Sequence, residues 1–308
     1  MRPYLFRSAP RSLTGLIQGV RWADIAFCWF AKLDAFLTVL LARSMGKKSI
    51  VVTAGDDVAR WTVNGRPYGV CAHPLKRWFP RTTCRLTDRV LAVSHFNMEE
   101  ALRNARAPQK RTMLVYHGFD ASLFRRPETE HKDGSVIVVS QIIWENVYRK
   151  GLKLFVESAR HLPEVPFSVV GMTDDDSIDY LKSIAPPNVR FPGARYDRDL
   201  VQAFAKASVV VQASEWESFG ASVAEGMLCE CVPVVTRVTA LPEVVGDCGV
   251  YVDRREPQGL AAAIAESLQW PELGLRARQR IVECFPLEKR RQALLQIVEE
   301  VTSSGHST

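Results

Sequence analysis

Two carboxylates, Glu217 and Glu225, stand with seven residues between them, and the intervening run is Ser-Phe-Gly-Ala-Ser-Val-Ala. A carboxylate accepts hydrogen bonds from two neighbouring hydroxyls, so such a pair suits a sugar or ribose. Gly220, inside the run, lets backbone approach a ligand closely. On spacing alone an inert reading is equally good, with Glu217 a solvated loop charge and Glu225 a charge near a helix N-terminus.

These residues need elements to position them. The run Ser208–Ala213 reads as a buried strand, and a helix is expected from about Gly220 to Leu228. In an open α/β sheet, ligands bind beyond the carboxyl ends of strands, where a following helix offers unpaired N–H groups and its positive dipole end. A diphosphate fits there. Further strands are expected at Asp24–Phe30, Ser49–Thr53, Val90–Val93 and Thr112–Tyr116, then at Ser135–Ser140, Phe167–Gly171, Asn188–Phe191, Val232–Thr236 and Gly249–Asp253. Their continuous β-branched runs imply strands buried on both faces, the mark of a parallel sheet between helices. Helical periodicity follows Lys150 (Leu152, Phe155, Val156, Ala159, Leu162) and Pro257 (Leu260, Ile264, Leu268), giving α/β architecture wound twice.

The polar stretch Arg125–Gly134 holds Pro and Gly without a period and reads as a linker. The expected domains are 1–127, with only four strands, 128–285, with six, and a C-terminal helix and tail at 286–308 that packs back on the first domain. The tail Thr302–Thr308 is expected to fray.

The chain has 308 residues, 47% hydrophobic and 24% charged, which excludes a disordered protein. Its net charge of +6 favours an anionic partner. Seven scattered cysteines suggest buried thiols in a reducing cytosol rather than disulfides or zinc. Met1–Thr14 lacks the apolar run of a secretory signal. Trp22–Leu41 is apolar but carries Asp24, Lys32 and Asp34, which argues against a transmembrane helix. A strand and then a helix to Arg43 are expected there, closed by Gly46. The basic residues Arg60, Lys76, Arg77, Arg81, Arg85 and Arg89, with Trp61, Trp78 and Phe79 among them, suit an anionic membrane face or equally a solvated helical face.

The second half resembles retaining glycosyltransferases of the GT-B fold, family 4. The likeness rests on Glu217-Ser-Phe-Gly, Glu225-Gly-Met, Cys231-Val-Pro-Val-Val and Ala240-Leu-Pro-Glu-Val-Val-Gly-Asp, with Arg149-Lys-Gly-Leu and Val170-Gly171 upstream. It implies two Rossmann-like domains facing a cleft, with the N-terminal one reduced here. It implies transfer of a sugar from a UDP- or GDP-sugar to a glycan or lipid-linked glycan, without a metal or other cofactor. By position, Glu225 would hold the donor ribose and Glu217 would face the transferred sugar. Phe219, Gly220, Ala221 and Ser222 would form the loop whose amides approach sugar and phosphate, and Lys150 would pair with the diphosphate. Gly171 and Glu243 complete the donor-side set.

Two positions depart from the pattern. Gln141 stands where an arginine is expected, leaving Arg149 as the substitute, and Ala54 stands near the place of a histidine. On the acceptor side Asp56, Asp57 and His117 remain. The competing expectation is a catalytically silent GT-B protein that binds a nucleotide or sugar, or that partners an active subunit. The expected location is cytoplasmic, peripheral at the inner membrane face, with no nucleic-acid partner.

Overall fold

The computed structural model describes residues 13–303. The stretch before Leu13 and most of the tail expected to fray lie outside the described residues. Contacts divide the chain into two units: residues up to Tyr116 together with those from Arg290, and His117–Lys289.

In the first unit the order is α1 (Leu13–Trp22), β1 (Ile25–Trp29), α2 (Leu33–Ser44), β2 (Lys48–Thr53), β3 (Trp61–Val63), β4 (Arg66–Tyr68), α3 (Trp78–Leu86), β5 (Arg89–Ala92), α4 (His95–Arg103) and β6 (Thr112–Leu114). β1, β2, β5 and β6 form one parallel sheet in that order. Ile50, Val51 and Val52 are fully buried in it, as continuous β-branched runs require. Gly46, just past α2, has φ +66°, the left-handed stop expected of it. The hairpin β3–β4 turns at Asn64 and Gly65, both at positive φ, the conformation of a type I′ turn.

The second unit contains β7 (Val136–Val139), α5 (Trp144–Arg149), α6 (Leu152–Ser158), β8 (Phe167–Val170), α7 (Ser177–Ile184), β9 (Val189–Gly193), α8 (Asp197–Lys206), β10 (Val209–Gln212), α9 (Ala221–Leu228), β11 (Val232–Thr236), α10 (Leu241–Val245), β12 (Val250–Val252), α11 (Pro257–Leu268) and α12 (Glu272–Cys284). The last helix, α13 (Leu287–Ser303), begins here, and its residues from Arg290 group with the first unit. There the Arg290 guanidinium donates to the carbonyls of Val115 and Tyr116.

The six strands are parallel in the order β12-β11-β10-β7-β8-β9. The order reverses between β7 and β10, so the crevice at their carboxyl ends is the place for a ligand in such a sheet. The core beneath it includes Phe155, Phe167, Leu152 and Ile264, all fully buried.

Two expectations change. The contact boundary falls after Tyr116, not at 127, because the stretch read as a linker is held to the second unit. Arg126 pairs with Glu230 at 2.7 Å, and Lys132 Nζ donates to the carbonyls of Phe204, Ala207 and Cys229. The segment between Gln141 and Lys150, for which no helix was expected, is largely α5. Lys150 is therefore the C-cap of a helix rather than the start of one, a place where the macrodipole favours a cation.

Candidate functional site

Two segments meet at the sheet's reversal point. One follows β7 and carries Arg149 and Lys150 at the end of α5. The other follows β10 and runs from Ser214 through Glu217 to α9. Gly151, with φ +72°, lets the first approach the second; a Cβ there would lie 2.4 Å from the Ala213 carbonyl. The Glu215 amide donates to the Arg149 carbonyl at 2.7 Å. Arg255 locks the junction, donating to the carbonyls of Ala213 and Tyr148 and pairing with Glu215 at 2.8 Å.

Glu217 is 5% exposed. Its Oε1 accepts from Gln212 Nε2 at 2.9 Å and Ser214 Oγ at 3.0 Å. The same oxygen lies 3.3 Å from Lys150 Nζ and 3.8 Å from Arg149 Nη1. Burial pushes this carboxyl upward, but Lys150, Arg149 and the Ser214 hydrogen bond more than offset it and leave it below the ordinary range. Its other oxygen, Oε2, has no hydrogen-bond or ion-pair partner among the described residues. Glu217 thus serves two cations with one oxygen and has the second to offer.

Glu225 has the opposite surroundings. It is half-buried, one turn into α9, and its carboxylate makes no hydrogen bond or ion pair among the described residues. Burial raises its pKa to about 7, with Lys150 pulling the other way. A ligand offering hydroxyl donors would supply what this group lacks.

Between them, Gly220 caps α9 at φ +98°, a conformation that L side chains rarely adopt. A Cβ there would also meet Leu241 Cδ2 at 2.8 Å. The amides of Gly220, Ala221 and Ser222, the donors a helix start leaves open, have no acceptor among the described residues. The Ser222 hydroxyl donates to Gln212 Oε1 at 3.1 Å, so Gln212 ties the first turn of α9 to Glu217. Neither Gln212 nor Arg255 was singled out from the sequence. A buried amide ending an otherwise apolar Val-Val-Val strand was the available signal for Gln212.

The remaining expected residues divide. Phe219 is 1% exposed, and its ring packs among His117 (5.1 Å), Phe119 (5.8 Å) and Phe285 (5.3 Å). The ring is core, and His117 supports it. Gly171 is explained by packing, because a Cβ would lie 1.7 Å from the Ser140 carbonyl. Glu243 lies in α10, where its carbonyl accepts from Arg280 at 2.8 Å. The loop before α10 reaches the site through Thr239 Oγ1, which accepts from the Glu217 amide at 3.0 Å. Gln141 donates to Asp174, so the position expected to be cationic is paired with a carboxylate.

In the first unit Asp57 is fully buried and spends both oxygens on backbone amides, those of Ala31 (2.8 Å) and Gly55 (3.0 Å). It is a loop fastener and cannot serve on the acceptor side. Burial raises its pKa to about 6. Asp56 pairs with Lys32 at 2.7 Å.

Residues 134–269 match the model of the family described as glycosyl transferases group 1. The O-antigen chain mannosyltransferase B of Escherichia coli is 28% identical over 204 residues, covering 60% of this chain and 53% of the relative. The chain therefore spans about half the length of that relative. N-acetyl-alpha-D-glucosaminyl L-malate synthase of Bacillus anthracis is 27% identical over 285 residues, covering 86% of this chain and 72% of the relative. Among solved structures, Anabaena HepE in complex with UDP and glucose superposes with a TM-score of 0.77 at 17% identity, over 93% of this chain and 81% of that one. Sucrose-phosphate synthase from Thermosynechococcus elongatus gives 0.77 at 17% identity, over 95% and 78%. The structural likeness shows a Rossmann-like α/β fold of the GT-B kind, and residues 134–269 are similar to the glycosyl transferases group 1 family.

Proposed function

We propose that this chain transfers a sugar from a nucleotide-sugar, a UDP- or GDP-sugar, to a hydroxyl acceptor with retention of anomeric configuration. The observation that carries the reading is the pairing of a diphosphate-suited set with an unpartnered carboxylate at one reversal point. That set is Lys150, Arg149 and the amides of Gly220, Ala221 and Ser222, and the carboxylate is Glu225. Glu225 accepts from the ribose hydroxyls. Glu217 fixes the two cations through Oε1 and offers Oε2 to the transferred sugar. The C–O bond between the anomeric carbon and the phosphate breaks, and its electron pair goes to the phosphate oxygen, where Lys150 and the amides stabilise the charge. The acceptor oxygen bonds to the anomeric carbon from the same face, and its proton passes to the departing phosphate.

The mannosyltransferase among the relatives supports a glycan or lipid-linked glycan acceptor, and the UDP complex of HepE supports a nucleotide donor. An anionic membrane face is the peripheral partner that fits the first unit. One observation favours a silent nucleotide- or sugar-binding protein instead: the Gln141–Asp174 contact puts a carboxylate where the resemblance expects an arginine. Donor hydrolysis with UDP- and GDP-sugars, with and without glycan acceptors, separates the two. Turnover of any donor eliminates the silent reading. Nucleotide binding without turnover of any donor overturns the transferase.

A further inference from the structure

Residues 60–89 hold seven Lys and Arg against the single Asp88, a net +6 equal to that of the whole chain. Asp88 is engaged elsewhere, with Lys48. Among the described residues, Arg60, Lys76, Arg77, Arg81, Arg85 and Arg106 make no ion pair. Burial and then the neighbouring guanidinium groups of Arg106 and Arg77 lower the pKa of Arg81, as expected of cations gathered without counter-charge.

Beside this cluster is an apolar surface. Leu33, Leu37 and Leu40 recur on one face of α2 and are 47%, 39% and 46% exposed. Phe36 carries that face onto α3 through an edge contact with Trp78 (4.9 Å) and a tilted one with Phe79 (5.8 Å). Trp78 is 53% exposed and Leu75, one turn earlier, 88%. An open hollow of about 570 Å³, lined by Arg60, Trp61, Thr62, Pro67 and Ala72, adjoins Arg60 of the same cationic group. Among the described residues no helix is long and apolar enough to cross a membrane.

We infer that the paired helices α2 and α3 dock on a bilayer containing anionic phospholipid. Leu33, Leu37, Leu75 and Trp78 enter the interface, and Arg77, Arg81 and Arg85 lie at headgroup level. Charge complementarity selects an anionic partner, since each cation near such a surface contributes roughly a fivefold gain in binding. The exposed leucines and Trp78 select a lipid surface over a nucleic acid, because apolar side chains gain nothing from a sugar-phosphate backbone but do gain from the acyl boundary. The inference extends the membrane contact proposed above and requires no turnover, so its failure leaves sugar transfer untouched.

Sedimentation of the full chain with vesicles tests it. Binding to phosphatidylcholine vesicles containing phosphatidylglycerol is expected to exceed binding to phosphatidylcholine alone by at least about tenfold. Arg77→Gln/Arg81→Gln/Arg85→Gln is expected to lower it by about a hundredfold, and Leu75→Ser/Trp78→Ser by about tenfold. Both variants must keep the wild-type melting temperature. Leu75→Ser alone, at an 88% exposed position, serves if the double variant is destabilised. Equal binding to both vesicle types overturns the inference. So does an undiminished affinity of the Leu75/Trp78 variant, or single-stranded DNA competing equally well against it and against the wild type, because either would mark a general polyanion surface.

Discussion

The two cationic regions of this protein differ in what surrounds them. In the second unit Arg149 and Lys150 are largely buried, 11% and 19% exposed, and share the carboxylate of Glu217. In the first unit Lys76, Arg77, Arg81 and Arg85 make no ion pair among the described residues and stand beside exposed apolar side chains. A cation withdrawn from water needs a fixed counter-charge or the structure loses stability. A cation left in water needs none, and remains available to a large anionic surface. Both regions are basic in sequence, and only burial and pairing separate the proposed ligand site from the proposed docking face.

The sharpest way to break this contrast is Glu217→Gln. It would take from Lys150 its carboxylate partner among the described residues and leave Arg149 with Glu145 alone, with an expected loss of about 4 kcal/mol in denaturant unfolding and at least a hundredfold fall in donor turnover. Wild-type stability and turnover would remove Glu217 from the account. Next is Gly151→Ala. It places a Cβ against the Ala213 carbonyl at positive φ, with an expected loss of about 3 kcal/mol; a neutral result would show that the two site segments need not approach so closely. Lys132→Met is expected to cost about 2 kcal/mol, because it strips a donor from three carbonyls. Arg77→Gln and Arg85→Gln sharpen the other side, with expected unfolding free energies within about 0.5 kcal/mol of wild type.

The pH dependence of stability adds a further test. Glu225 titrates near 7 when folded, against 4.5 ordinarily. The folded state therefore holds this proton more tightly, and the associated stability is present below about 4.5 and is lost as pH rises through 7. Asp57, raised to about 6, acts in the same direction, so the diagnostic is a difference. Glu225→Gln is expected to flatten the decline between pH 4.5 and 7 relative to wild type in thermal melts. An unchanged slope would show that Glu225 is not held in a desolvated place.

The parallel strands of both sheets were legible because fully buried strands are written as unbroken β-branched runs such as Val136–Val139 and Val209–Val211. The glutamate pair and Gly220 were legible as a motif. α5 was hidden because its six residues, Trp-Glu-Asn-Val-Tyr-Arg, are too few to show a period. The β3–β4 hairpin was marked by Asn64-Gly65 and overlooked, since the flanking strands are three residues long. Gln212 could not be given a role, because a strand pattern says which residues are buried but not what a buried amide holds. Asp57 shows the reverse error: a polar residue beside a motif was read as ligand-facing when the backbone of its own loop consumes it.

The central claim is that Glu225 and the start of α9 form the nucleotide end of a donor site. The most direct measurement is the melting temperature of the wild type and of Glu225→Ala with UDP, GDP and ADP, because a ligand that binds only the folded state raises it. The account predicts that at least one of these nucleotides raises the wild-type melting temperature and that the rise disappears in Glu225→Ala. An equal rise in both proteins would contradict it.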